Sequence, residues 1–151
     1  MLSRGFTLIE MLIVIGVILV VAGLSIPFLF SYQASSEVVV YSNNIERTLR
    51  RAQLQAINGY QAEGWGVYFD NSEKKFTIFK GDDYSGRDKQ YDQEITYSES
   101  LNIFSTFGNE IYFNLYSGVP SVTGTVTVTS TEALFIHSVV VNQLGIINVN
   151  H

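Results

Sequence analysis

The sequence predicts an α+β protein. One long N-terminal helix, transmembrane in its first half and amphipathic in its second, packs on a C-terminal antiparallel β-sandwich-like domain. Three observations predict this. An apolar run from Met11 to Phe30 carries no charge. From Ser31 to Gly59 apolar residues recur at intervals of three and four. From Gly64 onward the period drops to two, in short segments rich in Val, Ile, Thr and aromatic residues. A chain of 151 residues has room for one domain beyond the helix.

As a helix at ~1.5 Å per residue, the stretch from Phe6 to Phe30 runs about 37 Å, enough to cross a hydrocarbon core of ~30 Å with some tilt. Glu10 is the one carboxylate in it. An ionisable side chain there costs ~2.5–3.5 kcal/mol at the centre of a span and less near an end, and such residues are functional by default. Two readings are open for Glu10. Its side chain snorkels to the headgroups and takes up the positive end of the helix dipole, or it meets a cationic partner from another polypeptide. Arg4 is the only basic residue near this end and holds residues 1–5 in the cytoplasm, so the chain after Phe30 lies outside. The five residues before Phe6 are too few and too polar for a secretory h-region. The apolar run follows Gly5, so a cut there leaves the helix on the protein.

Pro27 interrupts the backbone ladder and is expected to kink the helix near the membrane exit. Beyond it, Val38, Tyr41, Ile45, Leu49, Ala52 and Ala56 form one apolar stripe, while Glu37, Glu46, Arg47, Arg50 and Arg51 fall mostly off it. Asn58-Gly59 is the expected stop. From Thr7 to Asn58 the helix would run about 78 Å, a length suited to the stave of a bundle. Arg47, Arg50 and Arg51 are the only basic cluster, and Glu46 can bridge to Arg50 at four residues. They read as a solvated or subunit-contact face, with a lipid-headgroup or nucleic-acid contact as the alternative.

Trp65–Phe69 and Lys75–Lys80 read as a hairpin across Asp70-Asn71-Ser72-Glu73, with Val67, Phe69, Phe76 and Ile78 expected to be buried. Further strands are expected at 110–116, 125–129, 134–141 and 146–149. Asn142-Gln143-Leu144-Gly145 joins the last two, with Gly145 free to take positive φ. Between them, Gly81–Glu94 reads as a solvated, mobile loop. Asp82, Asp83, Asp88 and Asp92 lie close together there, but Tyr84, Gly86, Arg87 and Lys89 break the oxygen spacing that calcium needs.

Composition excludes several function classes. With no cysteine there is no disulfide framework and no thiolate metal site. His137 and His151 are too few and too far apart in sequence for a transition-metal site. The chain has no nucleophile elbow and no glycine-rich phosphate loop, so neither an enzyme nor a cofactor is expected. Formal net charge is -5. From Gln90 to His151 there are five acids and no Lys or Arg, a poor surface for a phosphate backbone.

Arg4-Gly5-Phe6-Thr7-Leu8-Ile9-Glu10-Met11-Leu12 resembles the cleavage and methylation site of type IV pilins and type II secretion pseudopilins. The resemblance implies that a prepilin peptidase/N-methyltransferase cuts after Gly5 and methylates Phe6, the mature N-terminus. It implies that Glu10 meets the N-terminal amine of a neighbouring subunit. Cation and anion, each costly alone in low dielectric, then offset one another when subunits stack in register. The second half is similar to the GspH/FimT branch of minor pseudopilins and minor pilins, on Phe113 with Gly118 and on Val139-Val140-Val141-Asn142 leading to Gly145-Ile146-Ile147. Some members of that branch bind DNA through arginines near the C-terminal glycine. The tail from Gly145 to His151 has none, so DNA is not an expected partner.

The organisation implied is a leader over 1–5, a membrane and filament-core half-helix over 6–30, an amphipathic half-helix over 31–59 and a β-rich head over 60–151. The expected place is the bacterial inner membrane, single-pass with the C-terminus outside, and then an extracytoplasmic filament. Expected partners are the peptidase, other pilins or pseudopilins, the inner-membrane assembly platform and the lipid bilayer. The alternative is a pilus-tip binding module for DNA uptake or adhesion.

Overall fold

In the first helical turn, the sequence supplies both halves of a capping box, Thr7 and Glu10. In the computed structural model the Thr7 hydroxyl accepts the Glu10 backbone N–H at 3.3 Å and the Thr7 carbonyl accepts that of Met11 at 3.2 Å. The structure describes residues 6–131 and 135–150, without the side chains of 25–31. The helix that starts here, α1, spans Leu8–Ile57. Its backbone is helical through Pro27. The kink expected there falls among side chains outside those described. The leader, with Gly5, also lies outside the described residues.

The chain divides into two units, 1–33 and 34–151. In the second, the three-and-four spacing of the helix does what it predicts. Val38, Ile45, Leu49, Ala52 and Ala56 are fully buried, and Tyr41 is half-buried beside them. Gly59 ends the helix at φ 63°, and its N–H reaches the Ala56 carbonyl at 3.1 Å. Only glycine fits, because a Cβ there would stand 2.5 Å from the Tyr116 ring. The Tyr116 N–H closes the helix end by donating to the same Ala56 carbonyl at 2.9 Å.

Among the described residues eight strands follow, all antiparallel, in two sheets. They are β1 (Trp65–Asp70), β2 (Lys75–Lys80), β3 (Gln93–Thr96), β4 (Leu101–Ser105), β5 (Glu110–Phe113), β6 (Gly124–Ser130), β7 (Ile136–Val141) and β8 (Ile147–Asn150). The first sheet has the order β3-β2-β1-β5 and the second β4-β6-β7-β8. Alternation decides which residues turn inward. The register pairs Val67 with Ile78 and Phe69 with Phe76, and all four are buried as expected. Val126, Val128, Val139, Val141 and Ile147 line the second sheet's inner face and share one core with the first sheet and the helix stripe. Trp65, fully buried, satisfies its indole by donating to the Tyr60 carbonyl at 2.9 Å.

The structure corrects the strand list. β3 and β4 stand where no strand is expected. β5 stops at Phe113, because 114–118 folds into a turn in which the Asn114 carbonyl accepts from Gly118 at 2.9 Å. β7 begins at Ile136, and Leu134 lies outside the described residues.

The segment expected as a loop over 81–94 is mostly exposed through Gln90, as expected, and its last two residues belong to β3. It is held against the outer face of the first sheet, on a side where β2 would otherwise expose Phe79. Tyr84 stacks on Tyr68 with ring centroids 3.8 Å apart and meets Phe79 edge-on at 5.6 Å. Arg87 lies 3.5 Å over the Tyr84 ring, and its Nε–H is shared between the two carboxylate oxygens of Asp92 at 2.9 and 3.1 Å. Tyr84 and Arg87, two of the residues that spoil a calcium loop, fasten this segment down.

Candidate assembly site

The N-terminal site is built on the first turn of α1. Phe6 is 77% exposed, and Glu10 is exposed with no ion pair among the described residues. Thr7 binds the Glu10 backbone and leaves its carboxylate free to project. The helix dipole favours an anion in this turn. Sequence reasoning named Glu10 and passed over Thr7, although the Thr-x-x-Glu spacing was there to be read.

Every described side chain from Phe6 to Leu24 is exposed, including Leu8 at 84% and Leu24 at 75%. A helix apolar on all sides is stable only when something covers it, whether protein or lipid. Among the described residues, no helix is long and apolar enough to cross a membrane, and the described side chains of the run end at Leu24.

In the second unit the expected Glu46–Arg50 bridge is present at 2.8 Å. Arg50 also donates to the Ile147 carbonyl. One turn on, Gln53 donates both amide protons, to the Gly118 carbonyl at 3.0 Å and the Gly145 carbonyl at 2.8 Å. Both glycines have positive φ, 64° and 76°. Gln53 thus fastens the helix to the turn after β5 and to the β7–β8 turn. Nothing in the sequence signals this, since its partners lie 65 and 92 residues away.

The acidic segment shows no metal-binding geometry. Asp83 is occupied by the Ser85 hydroxyl at 2.6 Å and the Gly86 N–H at 2.6 Å, which hold its carboxyl below the usual range. Asp92 is taken by Arg87, and Asp88 accepts from the Gln90 N–H at 3.2 Å. Among the described residues no three His, Cys, Asp or Glu side chains converge.

The far half of the helix, packed on two antiparallel sheets, gives a pilin-like α+β fold. Residues 1–26 match the family model described as the prokaryotic N-terminal methylation motif. The fold is similar to that of the minor pseudopilin EpsH from the type 2 secretion system of Vibrio cholerae, at 15% identity and a TM-score of 0.60, covering 76% of this chain and 96% of that one. A second EpsH crystal structure gives 14% identity and 0.57, covering 76% and 94%. The type IV minor pilin FimU of Pseudomonas aeruginosa gives 14% and 0.58, covering 73% and 90%. No curated protein gives a significant sequence match.

Proposed function

We propose that the chain is a minor pseudopilin or minor pilin. It is cut between Gly5 and Phe6, methylated on the new amine of Phe6, and assembled from the inner membrane into a type II secretion or type IV pilus filament. The observation that carries this reading is the methylation motif over 1–26 leading into a helix whose described apolar side chains are exposed all round. Such a surface is held first by lipid and then by other subunits. The role is structural, and no reaction is assigned to the chain's own residues.

Hydrolysis of the Gly5–Phe6 bond frees an amine that stays cationic after one methylation. In the filament that cation meets the Glu10 carboxylate of an adjacent subunit. Neither charge is stable alone in low dielectric. Pairing offsets part of the desolvation of both and rewards only the register that brings them together. The charge pair therefore selects alignment more than it adds affinity.

Mass spectrometry of the protein made beside its own prepilin peptidase tests the processing. The expected product lacks Met1–Gly5 and is one methyl group heavier than the bare remainder. A retained leader refutes the proposal. Glu10→Ala is expected to be cut normally yet to be lost from sheared filaments. Normal incorporation of that variant would remove the pairing role.

A further inference from the structure

We propose that the cleft between the helix and the first sheet, rimmed by Arg47 and Arg51, binds an acidic peptide segment of another filament subunit. The cleft has a volume of about 290 Å³ and is lined by Asn44, Arg47, Thr48, Arg51, Ile78 and Ile95. It rests on the filament-subunit reading above and names a contact for it.

The unexplained feature is a pair of cations without anions in an acidic protein. The chain has 14 acids against nine Lys and Arg. Among the described residues Arg50, Lys75, Lys80 and Arg87 each face a carboxylate. Lys74, Lys89, Arg47 and Arg51 face none; Lys74 donates instead to the Leu101 carbonyl and the Asn102 side chain, whereas Arg47 and Arg51 stand together, one helical turn apart, about 6 Å along the axis. Their four-residue spacing puts both guanidiniums on one side of the helix, where like charges repel unless an anion bridges them.

The surroundings favour a protein carboxylate. The floor is Ile78, fully buried, with Ile95 half-buried beside it, and the helix adds the Asn44 amide and the nearly buried Thr48 hydroxyl. An apolar floor with two forked donors at the rim suits a side chain that has both a methylene stem and a planar carboxylate. The volume is at the small end for a ligand site, enough for one or two side chains. Charge complementarity points the same way: Asp92, Glu94 and Glu110 are engaged within the chain, but Glu99 is exposed with no cation facing it among the described residues, so a subunit with this head offers a free carboxylate.

The test places a benzophenone amino acid at Asn44 in the full chain, expressed with its companion subunits, and maps the cross-linked peptide by mass spectrometry. The expected partner is an acidic segment of a filament subunit. Arg47→Glu with Arg51→Glu should cut the yield by about tenfold or more, and changing the mapped acid to Lys should restore it. Arg47→Lys with Arg51→Lys keeps the charge and should retain most of the yield, which separates lost charge from lost folding. Cross-links to lipid alone, a yield unmoved by charge reversal, or no product from a wild-type chain that enters filaments would each overturn the cleft assignment. A wild-type chain that never enters filaments would overturn the proposed function and this contact with it.

Discussion

Replacing Gln53 tests how the helix is tied to the head. Its amide has two N–H donors, and both are used, at 3.0 Å on the Gly118 carbonyl and 2.8 Å on the Gly145 carbonyl. A neutral hydrogen bond contributes about 0.5–1.5 kcal/mol net, so Gln53→Ala should cost about 2 kcal/mol, or roughly 5–10 °C in Tm. Gln53→Glu is nearly isosteric but puts a carboxylate oxygen where Nε2 faces both carbonyls, and should cost more than the alanine variant at neutral pH. The sign of its pH dependence follows. A carboxyl facing carbonyl acceptors is favoured when protonated, because it can then donate, so its folded pKa lies above the ordinary ~4.3. The protonated form is the better tolerated one. The deficit of the Glu variant therefore narrows as pH falls below that raised value and widens as pH rises through it. Urea unfolding of the full chain in detergent, followed by circular dichroism near neutral pH and at about pH 4, measures all three proteins. Two results would refute the reasoning: an alanine variant as stable as wild type, or a Glu variant no worse than Ala at neutral pH and indifferent to acid.

Two further perturbations probe the head. At Gly66 a Cβ would stand 2.4 Å from the Phe79 ring and 2.8 Å from the Ile111 carbonyl, which belongs to the neighbouring strand and cannot move away alone. Gly66→Ala should cost about 1–3 kcal/mol in thermal unfolding, and an unchanged Tm would mean the sheet yields more easily than its geometry says. At Asp70 the carboxyl is held below its usual range, first by the Ser72 hydroxyl at 2.5 Å and then by the Glu73 N–H at 3.1 Å. Because its folded pKa is lowered, its stabilisation is complete above the ordinary ~3.9 and is lost as pH falls through the lower folded value. Asp70→Asn keeps an acceptor but cannot titrate, so its urea midpoint should fall less steeply than the wild type's between about pH 5 and pH 2. Parallel curves for the two proteins would contradict this.

Where one stretch of chain holds its own signal, the sequence was a good guide. The stripe from Val38 to Ala56 follows from a period of 3.6, and Asn58-Gly59 marks the helix end within the local backbone. The inward set Val67, Phe69, Phe76 and Ile78 follows from a period of two. β4 alternates as well, with Leu101 and Ile103 buried, and its pattern could have been read. β3 could not. Gln93-Glu94-Ile95-Thr96 has one aliphatic residue and becomes a strand only because β2 offers it a ladder at the sheet edge. Segment 81–92 is largely exposed, as its polar composition suggests. It is fixed by Tyr84 and Arg87 acting on Tyr68, Phe79 and Asp92, contacts that composition does not encode.

By itself the sequence determined the helix, the apolar stripe of its second half and the methylation motif over 1–26, because periodicity and a short contiguous motif are local properties of the chain. Only the tertiary structure decided which strands share a sheet, that Gln53 bolts the helix to two distant glycine turns, and that Arg47 and Arg51 overhang an apolar cleft without a carboxylate of their own. Those outcomes depend on residues tens of positions apart meeting in space, which is settled by how the whole core closes.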